Sequence, residues 1–76
     1  MPSQLPSLTP ARIVPALKKG GFVEDRQKGS HLILINPQTR ARTVVPMHKG
    51  KTLKIPLVRA IILDAKLSIA EFRELL

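Results

Sequence analysis

The stretch SHLILINPQTRARTVV, residues 30–45, decides the fold. Both of its ends are rich in aliphatic and β-branched residues, which favour extended strands. Between them, "NPQT" begins with asparagine and proline, the residues that suit the first two positions of a tight turn. The stretch therefore predicts two antiparallel strands, at 30–35 and 40–45. In the second strand, Arg40 and Arg42 are expected to share one face, because alternate strand residues point the same way.

The sequence on either side predicts one more strand and three helices. Thr9 and Pro10 suit a helix start, and Gly20 with Gly21 suits a helix end. Ser68 and Glu71 have the spacing of a capping box at the start of a last helix. The expected elements are a helix at about 10–19, a strand at 22–27 followed by a turn at 28–29, a helix from 56, and a short helix at about 69–75.

The order of elements is therefore α-β-β-β-α with a short C-terminal helix. This order predicts an α+β fold in which a three-stranded antiparallel sheet is covered by helices on one face. Residues 1–8 are rich in proline and serine and are expected to be disordered. Residues 9–76 are expected to form a single domain, since 76 residues suffice for only one.

The charge of the chain points to a polyanionic partner. The net charge is +8, and ten basic residues stand against two acidic ones between Arg12 and Lys54. Such a concentration of positive charge on a small domain is typical of nucleic-acid binding, and an acidic protein or a membrane surface is the alternative partner. Only two residues are aromatic, so contacts through phosphates and riboses are expected rather than base stacking. No apolar run is long enough to span a membrane, and we expect a cytoplasmic protein.

Two histidines are candidates for chemistry. His31 follows Gly29 and Ser30, which let the backbone approach a ligand closely, and Lys28 precedes them. His31 is either a partly buried strand residue with a satisfied nitrogen or a general acid or base for RNA cleavage, because histidine titrates near neutral pH. His48 is either a solvent-exposed loop residue or a second acid/base partner. Neither histidine stands in a cluster with the spacing of metal ligands, so no metal or other cofactor is expected.

The aliphatic run "LILI" at 32–35 predicts a strand that is apolar on both faces. A chain of this size has few layers with which to cover both faces. Either Ile33 and Ile35 are shielded by long arginine side chains, or they form part of a protein-binding surface.

Several motifs together resemble the HicA toxin family, also called YcfA-like proteins. The most specific are "LKKGGF" at 17–22, "RQKGSH" at 26–31, "VPMHKGK" at 45–51 and "LSIAEF" at 67–72. They occur in the family's order, and the resemblance extends over about residues 9–76. It implies a fold like that of double-stranded-RNA-binding domains, and the activity of an mRNA interferase in a type II toxin-antitoxin system. It also implies that His31 is catalytic, and that a HicB-type antitoxin covers it.

The sequence analysis therefore predicts a metal-independent endoribonuclease that cleaves mRNA. The catalytic residue is His31, with His48 as a second participant. The predicted RNA-binding residues are Lys28, Gly29, Ser30, Arg40, Arg42, Lys49 and Lys51. The alternatives are a non-catalytic RNA-binding module, a decayed toxin that only binds its antitoxin, and a pure protein-interaction domain.

Overall fold

The computed structural model describes residues 5–76 and contains three helices and one three-stranded sheet. The strands are antiparallel and lie in the order β1-β2-β3, each paired with its neighbour in sequence. The predicted α+β fold, similar to that of double-stranded-RNA-binding domains, is confirmed. The elements are α1 (Pro10–Lys19), β1 (Val23–Lys28), β2 (His31–Ile35), β3 (Arg42–Pro46), α2 (Ile55–Asp64) and α3 (Ile69–Leu75).

The helix ends follow largely from local sequence. The predicted capping box at α3 is present: the Glu71 N–H donates to the Ser68 Oγ at 3.0 Å, and the Ser68 N–H donates to the Glu71 Oε1 at 2.7 Å. Thr9 lies at the N-cap of α1, but its side chain makes no capping hydrogen bond. None of the helices in residues 5–76 is both long and apolar enough to cross a membrane.

The hydrophobic core lies between the helices and one face of the sheet. Leu32 and Leu34 of β2 point into it, and Phe72 of α3 is fully buried there. Thr43 of β3 is also buried, and its hydroxyl donates a hydrogen bond of 2.9 Å to the carbonyl oxygen of Ile61 in α2. This bond satisfies a polar group inside the core and fixes α2 against the sheet.

The connection between β2 and β3 departs from the prediction that Arg40 lies in β3. Asn36 organises this connection: its Oδ1 accepts from the Gln38 N–H at 2.9 Å, and its Nδ2 donates to the Gly20 carbonyl at 3.3 Å. The turn continues through Arg40, whose φ of 66° is left-handed and incompatible with a strand. The strand begins only at Arg42, so the expectation that Arg40 and Arg42 share a strand face was wrong.

The N-terminal segment is partly held by the core. Residues 1–4 of the stretch that was expected to be disordered lie outside the described residues. Leu5 and Leu8, in the rest of that stretch, are buried in the core. Leu8 pairs with Leu53, whose N–H donates to the Leu8 carbonyl at 2.8 Å. The prediction of disorder therefore does not describe residues 5–8, because two leucines within a proline- and serine-rich stretch suffice to anchor it.

Candidate nucleic-acid interface

The face of the sheet that the helices leave uncovered carries His31. Residues paired across an antiparallel sheet point to the same face, so the register defines this surface. We call it the open face. Its three cross-strand rows are Lys28–His31–Pro46, Arg26–Ile33–Val44 and Val23–Ile35–Arg42.

His31 is exposed on the open face, and its imidazole makes no hydrogen bond to any residue within 5–76. Lys28 stands directly opposite on β1, at the roughly 5 Å that separates the Cβ atoms of such pairs. Arg26 is its diagonal neighbour, roughly 7–8 Å away. The first interpretation of His31, a partly buried histidine with a satisfied nitrogen, is therefore not what the structure contains.

A β-bulge in β1 sorts the charges of this strand between the two faces. The register shifts between Glu24 and Arg26, so that Arg26 and Lys28 share the face of His31 while Glu24 points the other way. On that side, the Oε2 of Glu24 forms an ion pair with the Nζ of Lys18 in α1, at a distance of 2.6 Å. Without the bulge, strand alternation would place the Glu24 carboxylate on the same face as His31. The bulge thus keeps the Glu24 carboxylate off the open face, while the carboxylate of Asp25, at the bulge itself, lies 3.7 Å from the Arg26 Nε.

The turn before β2 and the loop after β3 meet at one end of the sheet. The Met47 N–H donates a 2.6 Å hydrogen bond to the Ser30 carbonyl, so the residues that precede the two histidines are joined. His48 then begins a turn that the Lys51 N–H closes onto its carbonyl at 3.1 Å. Gly29 and Gly50 have positive φ values of 58° and 74°, which glycine adopts without strain.

This end of the sheet, which we call the histidine end, gathers most of the predicted site residues. Every one of them is exposed, and none of the lysines pairs with a carboxylate within residues 5–76. They are Lys28, Gly29, Ser30, His31, His48, Lys49 and Lys51.

Arg40 and Arg42 lie at the opposite end of the sheet. Arg42 pairs with Ile35, four residues along β2 from His31, which corresponds to roughly 13 Å. Neither arginine comes near His31, because Arg40 lies in the β2–β3 turn and Arg42 follows it, at the far end of β2 from His31. Arg42 nevertheless lies on the open face, whereas Arg40 is in the turn.

The aliphatic residues of the open face differ in exposure: Ile33 is buried, Ile35 is partly exposed, and Val23 keeps 47% of its accessible surface. Ile33 retains only 5% of its accessible surface, although it is not part of the helix-side core cluster. Its cross-strand neighbours are Arg26 and Val44, whose side chains flank it on both sides. Ile33 is therefore buried, as the shielding interpretation of "LILI" expects, whereas Ile35 stays partly exposed.

Sequence reasoning left Arg26 out of the predicted site. The structure places it closer to His31 than either predicted arginine, two residues from Lys28 on the same strand face. The alternation of Arg26 and Lys28 in "RQK" was the available signal. Within residues 5–76, no group of three or more histidine, aspartate or glutamate side chains is arranged to hold a metal ion.

The fold and its basic open face define a small α+β domain of the double-stranded-RNA-binding type, with an unbonded histidine at one end of the sheet. The family model described as the HicA toxin of bacterial toxin-antitoxin matches residues 11–67, and the chain belongs to this family. The resemblance predicted from its motifs is thereby confirmed. Membership implies an antitoxin as partner. No curated protein matches the chain significantly.

Proposed function

We propose that the protein is the toxin of a type II system that acts as a metal-independent endoribonuclease on mRNA, with His31 as its catalytic residue. The observation that carries the proposal is the exposed imidazole of His31, free of hydrogen bonds within the described chain and flanked by Lys28 and Arg26. An imidazole needs this access to reach the proton of a substrate hydroxyl. Membership of a toxin family supports a role in which this site damages a cellular RNA, rather than one in which it only binds RNA.

The proposed reaction needs no other reactant. The ribose 2′-oxygen attacks the adjacent phosphorus, and the bond from phosphorus to the 5′-oxygen breaks. The products are a 2′,3′-cyclic phosphate and a 5′-hydroxyl, so one proton leaves the 2′-hydroxyl and one reaches the leaving oxygen. His31 moves one of these two protons, and His48, at the same end of the sheet, is the candidate for the other.

Cations around the histidine end stabilise the charge that develops on the phosphate oxygens. Lys28 stands beside His31 and is the first candidate for this role. The backbone of Gly29 and Ser30 lets the RNA approach closely, and Lys49 and Lys51 hold adjacent phosphates. Arg40 and Arg42, at the far end, hold phosphates of other nucleotides rather than the scissile one.

The same surface is the proposed contact for a HicB-type antitoxin. A partner that covers the histidine end blocks both His31 and the lysines that hold RNA. The positive charge there favours an antitoxin with acidic residues at its contact.

Cleavage of RNA in the presence of a chelator tests the proposal. Purified protein incubated with single-stranded RNA in excess EDTA is expected to produce fragments, and His31→Ala purified in the same way is expected to produce them at least about a hundredfold more slowly. A wild-type protein that binds RNA but leaves it intact would support the non-catalytic module instead. Cleavage that stops on addition of EDTA would contradict the metal-independent mechanism.

The salt dependence of RNA binding tests the phosphate contacts. In the non-cleaving His31→Ala background, Lys49→Ala with Lys51→Ala is expected to reduce the slope of log K against log salt by about 1.4, at about 0.7 for each phosphate contact with a single strand. The double variant Arg59→Ala with Arg73→Ala removes the same charge from exposed positions on α2 and α3 and is the matched control. Equal slopes for the two double variants would mean that only net charge matters and that the loop holds no phosphate.

A further inference from the structure

A small cavity opens beside the histidine end, between the start of α1 and the loop after β3. Its volume is about 290 Å³, and its walls are mostly apolar. The lining residues are Pro10, Ala11, Met47, Lys49 and Gly50. This volume is at the lower limit of sites that bind small molecules, roughly 300 Å³ and above, so it has room for one small group.

The cavity is joined to the candidate site by the main chain. Met47 forms part of its wall, and the N–H of Met47 donates to the carbonyl of Ser30, the residue immediately before His31. Lys49, a predicted phosphate contact, also lines it. A nucleotide next to the scissile phosphate would therefore reach the cavity without leaving the histidine end.

The chain offers an RNA base no exposed phenylalanine, tyrosine or tryptophan ring. Its two aromatic residues are Phe22 and Phe72, which keep 2% and 0% of their accessible surface. Proteins that recognise single-stranded RNA commonly stack its bases on aromatic side chains or arginine planes. The cavity gives a base an aliphatic and sulfur-containing surface instead, and the thioether of methionine makes favourable contacts with aromatic rings.

We propose that this cavity binds one unpaired nucleobase of the RNA, at a nucleotide that flanks the scissile phosphate; the inference rests on the proposed function. The base lies against Pro10, Ala11 and Met47, and the Lys49 ammonium holds the phosphate attached to it. A cavity of this size has no room for a base pair, so the substrate is single-stranded at this nucleotide.

Filling the cavity tests the inference. Ala11 is exposed on α1, and leucine is nearly as good a helix former as alanine, so Ala11→Leu narrows the cavity without breaking the helix. Ala60→Leu makes the same change at an exposed position of α2 and is the matched control. Ala11→Met is a second, more flexible filling, and circular dichroism checks that all variants are folded.

The substrates are one short RNA with a single cleavage site and two copies that lack the base on one or the other flanking nucleotide. Wild type and Ala60→Leu are expected to lose about tenfold in kcat/KM when one of these bases is removed, the lower end of what a small apolar group in a pocket contributes. Ala11→Leu and Ala11→Met are expected to cleave the intact RNA about tenfold more slowly and to be indifferent to that base.

Two results would overturn the cavity as a base site. One is a wild-type protein that cleaves all three RNAs equally well, and the other is a filled cavity that keeps the full preference for the base. Either result leaves cleavage itself intact. A wild-type protein that cleaves none of the RNAs contradicts the proposed function instead, so the two failures are distinguishable.

Discussion

Replacing His31 with alanine is expected to lower the rate of RNA cleavage by roughly 10²–10⁴-fold, the usual contribution of a general acid or base. The loss follows from chemistry rather than from unfolding, because the side chain is exposed and bonded to nothing in residues 5–76. The free energy of unfolding is therefore expected to change by no more than about 0.5 kcal/mol. Single-turnover cleavage and urea unfolding of the same preparation measure both quantities.

His48→Ala is the matched removal of an imidazole at the same end of the sheet. A loss of about tenfold, worth about 1.4 kcal/mol, assigns His48 to a phosphate contact. A loss as large as that of His31→Ala assigns it the second proton. An unchanged rate for His31→Ala would contradict the assignment of catalysis to this residue, whatever His48 does.

Replacing Phe72 with alanine is expected to destabilise the fold by about 3–5 kcal/mol, because the ring is fully buried and leaves a cavity behind. A domain of this length has a total stability of only about 4–11 kcal/mol, at about 0.05–0.15 kcal/mol per residue. The variant therefore loses a large share of its stability. Phe72 lies beyond residue 67, where the family match ends, so the loss would establish α3 as an integral part of the domain.

Leu63→Ala is the control for this variant, since Leu63 is 75% exposed at the end of α2 and its truncation is expected to cost about 0.5 kcal/mol or less. Urea unfolding at equilibrium gives both values. A cost for Phe72→Ala no greater than that for Leu63→Ala would contradict the description of α3 as part of the core.

Local sequence signals predicted those parts of the fold that local interactions determine. The capping box of Ser68 and Glu71 lies within one turn of chain, and the aliphatic run of β2 needs only a sheet in which to pack. The position of His31 is also determined locally, because the short turn at Gly29 and Ser30 places it at the start of β2. These features depend on neighbours in sequence and can be read from it.

The features that the sequence did not predict depend on tertiary contacts. The bulge at Asp25 moves Glu24 away from the open face, and its partner Lys18 comes from another element. The left-handed turn at Arg40 is set by Asn36, which also bonds Gly20 at the end of α1. Strand alternation alone therefore placed Arg40 in β3.

The central claim is that His31 moves a proton in a cleavage that begins with attack by the ribose 2′-hydroxyl, and the end groups of the RNA fragments test this reaction most directly. Fragments made in EDTA are expected to carry 5′-hydroxyl and 2′,3′-cyclic phosphate ends. Replacing the one 2′-hydroxyl at the scissile nucleotide by hydrogen is expected to stop cleavage there. Fragments with 5′-phosphate and 3′-hydroxyl ends, or continued cleavage at the 2′-deoxy position, would contradict the account.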